Sequence, residues 1–250
     1  MRVIISGASG LIGTALGASL RADGHDVVAL VRRPAADGEI RWDPARGELS
    51  ADALAGADAV VHLAGAGIGD HRWTDAYRTE ILDSRVRSTT LLAERIAECA
   101  QRPPVLLSGS AIGFYGASDD RQLDEHSPAG SGFLADVCRQ WEAATAPAEA
   151  AGVRVVHLRT GIVLTPKGGA LKKMLPLFRL GAGGPFGNGR QWQSWISLDD
   201  EVGAIRHLIS ADARGAVNLT APNPVDGRTF ARTLGKVLHR PALLPVPAFG

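Results

Sequence analysis

Residues 3–13 read V-I-I-S-G-A-S-G-L-I-G, an apolar segment that runs directly into glycines at positions 7, 10 and 13. A buried parallel strand, a tight glycine turn and the beginning of a helix together form a site for the pyrophosphate of a dinucleotide. Gly7 supplies the turn, Gly10 lets backbone N–H groups approach the phosphates, and Gly13 lets the helix pack close to the sheet. Because an amphipathic pattern begins at Leu11, the context favours dinucleotide binding over a plain strand–turn–helix.

A second apolar strand pattern covers residues 25–31 and is followed by Arg32, Arg33 and a proline. In folds that prefer NAD, an Asp or Glu about 20 residues after the glycines accepts a hydrogen bond from the ribose 2′-hydroxyl. Arginines hold that place here, and a guanidinium suits the 2′-phosphate of NADP(H). Two arginines after a strand can also form an ordinary solvated loop. We expect NADP(H) as the cofactor, with Arg32 and Arg33 recognising its extra phosphate.

The composition is that of an ordinary α/β protein: 250 residues, 45% hydrophobic and 21% charged, with a net charge of +1. This balance gives no indication of nucleic acid or a membrane surface as a partner. Cys99 and Cys138 lack metal-ligand spacing and indicate a reduced pair. A strand that begins at residue 2 leaves no room for a signal peptide, and no apolar run is long enough to cross a bilayer. We therefore expect a cytoplasmic protein with a small-molecule substrate and no metal.

Strand and helix patterns alternate through the first two-thirds of the chain, and residues 35–50 between them are expected to be irregular. Further strands are predicted at 58–64, 105–108 and 153–159, and helices at 73–100, which Asp83-Ser84 could interrupt, 132–150, 171–180, 199–210 and 226–239. Strands separated by helices imply right-handed βαβ crossovers and a parallel sheet. The fold class is therefore α/β, a Rossmann-type doubly wound parallel sheet with a small C-terminal substrate lobe.

The glycine and proline content rises after Leu164, which indicates a change of domain. Ligands of a doubly wound sheet lie beyond the carboxyl ends of its strands, so a lobe there would cap the cofactor and form a substrate pocket. The expected division is an NADP(H)-binding domain at 1–164, completed by about 195–212, and a substrate-side lobe at 165–194 and 213–250.

With these elements in place, the chain resembles the extended or atypical short-chain dehydrogenase/reductases, most closely their NAD(P)-dependent epimerase-like subgroup. The matching segments follow the family's order: S-G-A-S-G-L-I-G-T-A-L (6–16), V-H-L-A-G (61–65), E-I-L-D-S-R (80–85), S-G-S-A-I-G-F-Y-G (108–116), D-E-H-S-P (124–128), L-R-T-G-I-V-L (158–164), G-G-P-F-G-N-G (183–189) and W-I-S-L-D-D (195–200). Similar proteins form dimers and continue past the apolar residues 243–249. The resemblance therefore implies a possible homodimer and a substrate lobe that could be truncated at its C-terminus.

The resemblance also implies cofactor contacts beyond the glycine-rich loop. Residues 63–65 would pass the adenosine and pyrophosphate, the segment 108–110 would face the nicotinamide, and residues 160–163 would lie on its other side. Arg85 matches a cofactor-facing position, although it can equally be a surface charge of its helix. The expected cofactor contacts are Gly7, Ser9, Gly10, Leu11, Ile12, Gly13, Arg32, Arg33, Leu63, Ala64, Gly65, Glu80, Arg85, Ser108, Thr160, Gly161 and Val163.

The catalytic part of the family pattern is missing. Active relatives carry a Tyr-x-x-x-Lys pair, in which Tyr is the acid/base and Lys lowers the Tyr pKa and holds the ribose. Alignment on Glu142 puts Leu134 at the Tyr position and Cys138 at the Lys position. The remaining candidates are Ser110, to polarise the substrate oxygen, and Tyr115 or a bound water, to relay the proton. Tyr115 can instead pack beside the site, and Cys138 can be a small buried residue rather than a reactive thiol.

Trp192 and Trp195 are the candidate substrate contacts, because they match substrate-contacting positions of similar proteins and suit a sugar ring. They can equally hold the lobe to the sheet. Two functions remain open. The first is an NADP(H)-dependent oxidoreductase or nucleotide-sugar epimerase-like enzyme acting on a small hydroxyl or carbonyl substrate. The second, motivated by the missing Tyr/Lys pair, is a non-catalytic NADP(H)-binding sensor or partner-binding protein.

Overall fold

The structure is a computed structural model that describes residues 1–118 and 120–242. The apolar segment 243–249 lies outside the described residues. In chain order the elements are β1 (Arg2–Ser6), α1 (Leu11–Ala22), β2 (Asp26–Val31), β3 (Glu39–Arg41), β4 (Ala59–His62), α2 (Asp75–Glu98), β5 (Val105–Ala111), α3 (Phe133–Ala143), α4 (Ala146–Ala150), β6 (Arg154–Thr160), β7 (Ile162–Leu164), α5 (Gly169–Arg179), β8 (Trp192–Gln193), β9 (Trp195–Ser197), α6 (Leu198–Ser210), β10 (Gly215–Leu219), β11 (Val225–Asp226) and α7 (Gly227–Val237).

Seven strands form the central sheet in the order β3-β2-β1-β4-β5-β6-β10. The pairs from β3 to β5 are parallel, with Ile4 aligned to Val28 on one side and to Val60 on the other. The chain turns outward in both directions from β1 and β4, which makes the carboxyl ends of these two strands the switch point where ligands of such sheets lie. The predicted Rossmann-type doubly wound sheet is confirmed.

The central strands are apolar along their whole length because both of their faces are covered. Ile4, Val60 and Leu106 of three adjacent strands are all fully buried. Leu16 and Leu20 of α1 are buried as well, which explains the apolar spacing along that helix. This packing fixes the strand ends, and therefore the loops that follow them, in a rigid frame.

The described chain divides into two compact units. The first unit is Met1–Arg159 with Val202–Asn218. The second is Thr160–Glu201 with the described residues from Leu219 onward. Within the second unit, β7 pairs with β9 in parallel and β8 pairs with β11 in the antiparallel sense.

The structure corrects the expectation that residues 35–50 are irregular. Residues Glu39–Arg41 form β3, which extends the sheet beside β2. Three residues are too few to produce a periodic pattern. The strand is instead anchored by a two-pronged ion pair, in which Arg33 Nη1 and Nη2 each lie 2.6 Å from a Glu39 oxygen.

Two helix predictions also need correction. Helix α2 continues through Asp83-Ser84 without a break, and the Ser84 hydroxyl donates to the Ile81 carbonyl inside the helix. The predicted helix at 132–150 is two helices, α3 and α4, with a break around Thr145. Pro147 stands in the first turn of α4, where its missing N–H needs no partner and where it prevents α3 from continuing.

Candidate functional site

The glycine-rich loop packs directly on the chain that follows β4. Gly7 has a φ of +69°, and a Cβ there would lie 2.7 Å from the Leu63 carbonyl carbon. A Cβ on Gly13 would lie 2.3 Å from the Gly7 carbonyl oxygen, so α1 approaches the loop as closely as its backbone allows. Any side chain at these two positions would push the loop outward. The expectations for Gly7 and Gly13 therefore have a direct steric basis in the structure.

The N-terminus of α1 is open for an anion. Gly10 is its N-cap and offers no side-chain hydrogen bond, and the first turn of α1, which is described throughout, contains no acidic residue. Ser9 and Gly10 are exposed, so the backbone N–H groups that begin at Leu11 face outward. Unpaired N–H groups and the positive end of the helix dipole favour a phosphate at this position. Leu11 and Ile12, two of the expected cofactor contacts, lie in the same turn.

The two arginines after β2 have different surroundings. Arg33 is held by Glu39, whose side chain is only 18% exposed and also accepts a hydrogen bond from the Ala36 N–H. That ion pair lowers the pKa of the Glu39 carboxyl and keeps the Arg33 guanidinium beside β3. Arg32 is exposed and makes no hydrogen bond or ion pair within residues 1–118 and 120–242. Arg32 is therefore the guanidinium of this pair that is available to an added phosphate.

His62, the last residue of β4, is buried and has a serine hydroxyl next to each of its ring nitrogens. The Ser6 hydroxyl lies 2.5 Å from His62 Nδ1, and the Ser88 hydroxyl lies 3.1 Å from Nε2. Because the Ser88 hydroxyl donates to the Ser84 carbonyl, Nε2 must carry the ring proton and Nδ1 must accept from Ser6. Burial, together with the charge of Arg85, lowers the pKa of His62 to about 3. The imidazole is thus neutral and holds one fixed tautomer at any pH near neutrality.

The hydrogen-bonded cluster of Ser6, His62 and Ser88 extends to the loop that follows β4. Ser6 Oγ accepts a hydrogen bond from the Leu63 N–H at 3.2 Å, and Leu63 is the residue against which Gly7 packs. His62 therefore orients the backbone at Leu63 and Ala64 through Ser6. Sequence reasoning noted V-H-L-A-G as a matching segment but assigned no role to His62. A polar residue inside a fully buried strand was the available signal.

Helix α2 places the two predicted cofactor residues Glu80 and Arg85 in different environments. Glu80 is exposed and lines an open cavity of about 430 Å³ at the start of the helix, together with His71 and Tyr77. The Arg85 side chain folds back on the loop after β4, where Nη1 donates to the Ala66 carbonyl at 2.9 Å and a Cβ on Gly65 would lie 3.2 Å from the guanidinium carbon. Arg85 is therefore not the solvated surface charge that the sequence left open.

The carboxyl end of β5 carries a connected polar network. Ser110 Oγ donates to Glu142 Oε1 at 2.6 Å, and the Arg159 guanidinium binds both Glu142 oxygens at 2.8 and 2.9 Å. Arg159 Nη1 also donates to the Tyr115 hydroxyl at 3.0 Å, and that hydroxyl donates to Asn218 Oδ1 at 2.7 Å. Both predicted catalytic residues thus belong to one network, joined by two charged residues that sequence reasoning did not assign to the site.

Glu142 and the neighbouring Cys138 differ in their protonation state at neutral pH. Burial alone would raise the Glu142 pKa, but hydrogen bonds from Arg159 and Ser110 outweigh burial and leave that pKa below its ordinary value. Burial, with the nearby charge of Glu142, raises the pKa of the Cys138 thiol to about 11. Glu142 is therefore ionised at neutral pH, and Cys138 is a protonated thiol. This environment favours the interpretation of Cys138 as a small buried residue over that of a reactive thiol.

Other predicted positions are buried or structural. Ser108 is fully buried in register with His62 on β4, so its side chain is enclosed by the sheet. In the D-E-H-S-P segment, Asp124 Oδ1 accepts from the His126 N–H and from the Ser127 hydroxyl, which makes it the anchor of a tight turn. His157 is a satisfied core histidine, since its Nε2 lies 2.9 Å from the Thr145 hydroxyl.

The second unit contains the remaining predicted cofactor residues, Thr160, Gly161 and Val163. A Cβ on Gly161 would lie 2.6 Å from the Ser194 carbonyl oxygen, so this glycine permits close approach of two strands. The Thr160 hydroxyl donates to Glu201 Oε1 at 2.9 Å. Glu201 is fully buried, its Oε2 has no partner among the described residues, and burial raises its pKa to about 7. An acid in the first turn of a helix looks solvated in the sequence, which is why Glu201 was missed.

The two tryptophans lie on neighbouring short strands of the second unit. Trp192 on β8 is 49% exposed and is aligned with Asp226 of β11. Trp195 on β9 is partly buried, is aligned with Ile162, and its indole N–H donates to the Asn223 carbonyl at 3.1 Å. Trp195 is therefore fixed to its own unit, whereas much of the Trp192 ring is accessible.

No helix within the described residues is both long and apolar enough to cross a membrane.

A glycine-rich crossover, an open helix N-terminus and a polar network at the carboxyl edge of a parallel sheet define a dinucleotide-binding α/β protein. Residues 3–220 match the NAD dependent epimerase/dehydratase family, and the chain belongs to this family. It is 46% identical over 248 residues to the epimerase family protein MT2273 of Mycobacterium tuberculosis, covering 98% of this chain and 82% of that protein. It is 39% identical over 252 residues to the human epimerase family protein SDR39U1, covering 99% and 84%.

A solved structure of the human relative extends the comparison to three dimensions. The crystal structure of human SDR39U1 with NADPH matches this chain with a TM-score of 0.89 at 38% identity, covering 99% of this chain and 83% of that one. The epimerase-like resemblance inferred from the sequence motifs is therefore confirmed.

Proposed function

We propose that this protein binds NADP(H) at its amino-terminal crossover and transfers hydride between that cofactor and a small hydroxyl- or carbonyl-bearing substrate, as an oxidoreductase or epimerase. The observation that carries the reaction is the chain of contacts from Ser110 through Glu142 to Arg159 at the carboxyl end of β5. Parallel sheets of this order bind their ligands at that edge.

The residues of the crossover fit an NADP(H) molecule. The bare backbone at Gly7 and Gly13 makes a cradle that a Cβ would fill, and the N-terminus of α1 offers N–H groups to the pyrophosphate. Arg32 is a free guanidinium where the 2′-phosphate of NADP(H) would lie, and no carboxylate takes the place of the ribose acceptor that NAD-binding folds use. The NADPH bound to the human relative is consistent with this choice.

The bound nicotinamide would supply or accept the hydride, and this chain's residues would move the proton. Ser110 Oγ already donates its own proton to Glu142, so it would act toward a substrate hydroxyl as an acceptor. As that hydroxyl gives its proton to Ser110, the Ser110 proton passes to Glu142, which is ionised and can receive it. Arg159 keeps the Glu142 carboxylate oriented throughout. Reduction of a carbonyl would use the same path in reverse.

This route replaces the relay through Tyr115 that the sequence suggested. The Tyr115 proton points to Asn218, and its oxygen accepts from Arg159, so the phenol is committed to two protein groups. The thiol of Cys138 keeps its proton at neutral pH. Glu142 is the group of this network that is both ionised and in contact with a hydroxyl at the strand end.

The proposal is tested with two panels, NADP⁺ with nucleotide sugars and alcohols, and NADPH with carbonyl compounds. NADPH absorbance reports net oxidation or reduction, and NMR of the sugars reports epimerisation, which regenerates the cofactor and leaves the absorbance unchanged. Turnover of one substrate class is expected, and Ser110→Ala should lower kcat by about 100-fold while leaving the Kd of NADPH unchanged. Ser210→Ala, an exposed serine at the end of α6, is the matched control. Full activity of Ser110→Ala would refute the proton path.

A second candidate is an NADP(H)-binding protein without turnover. It is favoured by the apolar Leu134 and the protonated Cys138, which stand where active relatives carry Tyr and Lys. Tight NADPH binding with no turnover in either panel, together with a change in protease sensitivity on binding, would support this sensor function over the enzyme.

A further inference from the structure

Arg85 is a partly buried cation with no acidic partner among the described residues. Its Nη1 donates to the carbonyls of Ala66 and Ile81 at 2.9 and 3.0 Å, and it forms no ion pair with a carboxylate in the described part of the chain. Nε and Nη2 have no protein acceptor among the described residues. Charges removed from water are normally paired, because an isolated buried charge is strongly destabilising. Two donor groups of Arg85 are therefore left for a ligand.

The position of the guanidinium indicates which ligand. It lies against Gly65, two residues after the Leu63 carbonyl on which the glycine-rich turn packs. On its other side it lies over the ring of Trp141 in α3, 5.0 Å from the ring centroid. Cys138 is one helical turn before Trp141. The positive charge of Arg85 acts to lower the pKa of the Cys138 thiol, against the larger effects that raise it. Arg85 thus reaches from α2 into the space beside Cys138.

We propose that Arg85 supplies from α2 the cation that active relatives carry on α3, and that its free N–H groups bind the hydroxyls of the nicotinamide ribose. This inference rests on the NADP(H) binding of the proposed function, but it does not require turnover. It also explains the residue at position 138. A lysine there would place a second cation beside Arg85, whereas a neutral thiol leaves room for the guanidinium.

The test compares two probes by isothermal titration calorimetry. NADPH contains the nicotinamide ribose, whereas adenosine 2′-phosphate 5′-diphosphate has the 2′-phosphate and a diphosphate but no second ribose. Arg85→Gln should raise the Kd of NADPH by about tenfold to a hundredfold, the range of a charge-assisted hydrogen bond, and leave the Kd of the fragment unchanged. Arg85→Lys should lose less affinity because it keeps the charge. Arg87→Gln, on the exposed face of the same helix, is the matched control.

A rescue variant separates binding from a merely structural role. In Arg85→Gln/Cys138→Lys the cation returns to α3, and NADPH affinity should recover to within a fewfold of the wild type. Equal losses for both probes would mean that Arg85 binds the diphosphate, and unchanged NADPH affinity or a failed rescue would likewise overturn the proposal. If the wild type binds neither probe, the cofactor assignment itself fails, and this inference fails with it.

Discussion

Glu201 should make the protein less stable as the pH rises through neutrality. Its carboxyl is fully buried and has a folded-state pKa of about 7, against an ordinary value of 4.5. The folded state therefore binds the proton more tightly than the unfolded state, so the favourable contribution of protonation is complete below pH 4.5 and is lost as the pH rises to about 7. The difference between the two pKa values corresponds to about 3 kcal/mol.

Glu201→Gln removes this ionisation while keeping an oxygen that can accept from the Thr160 hydroxyl. In urea unfolding monitored by circular dichroism, the stability of the variant relative to wild type should increase by between about 2 and 3 kcal/mol from pH 5 to pH 8. The new amide adds an offset that does not depend on pH, so the change with pH is the informative quantity. Asp199→Asn, an exposed acid in the same turn of α6, should show no such change. The same difference in unfolding free energy between Glu201→Gln and wild type at pH 5 and at pH 8 would refute the reasoning.

The remaining predictions concern the crossover, the cluster of Ser6, His62 and Ser88, and the polar network. Gly13→Ala should abolish NADPH binding in calorimetry, because its Cβ would lie 2.3 Å from the Gly7 carbonyl oxygen; retained affinity would contradict the close approach. His62 has a folded pKa of about 3 against 6.5, so its contribution to stability is complete above pH 6.5 and is lost as the pH falls. The stability advantage of wild type over His62→Gln should fall by about 1.4 kcal/mol per pH unit below 6.5 in urea titrations, and a constant advantage would exclude this explanation. Tyr115→Phe removes the hydrogen bond to Asn218 and should cost about 1 kcal/mol of unfolding free energy without changing kcat; a large loss of kcat would restore Tyr115 as the relay.

The crossover could be predicted from the sequence because its determinants are contiguous. A buried strand, three glycines at fixed spacing and an amphipathic helix each leave a local pattern, and residues 3–13 contain nearly all of it. The short strand Glu39–Arg41 left no such pattern, because its position depends on the ion pair between Arg33 and Glu39. Because of the same pair, two adjacent arginines that look equivalent in the sequence have different surroundings.

The polar network could be predicted only in part. Ser110, Glu142 and Arg159 come from β5, α3 and β6, and no sequence spacing shows that three such distant residues meet. The family motifs identified Ser110 and Tyr115, but the hydrogen-bond directions that commit the Tyr115 proton to Asn218 depend on tertiary packing. The buried acid Glu201 and the partly buried, unpaired Arg85 follow the same rule, since burial is a property of the assembled fold.

The central claim is that Arg32 recognises the 2′-phosphate of NADP(H) at the crossover, and calorimetric titration of wild type with NADPH and NADH tests it most directly. NADPH should bind about tenfold to a hundredfold more tightly than NADH. Arg32→Ala should remove that preference, whereas Arg33→Ala, whose guanidinium is already held by Glu39, should keep it. Tighter binding of NADH, or heat from neither nucleotide, would contradict the account.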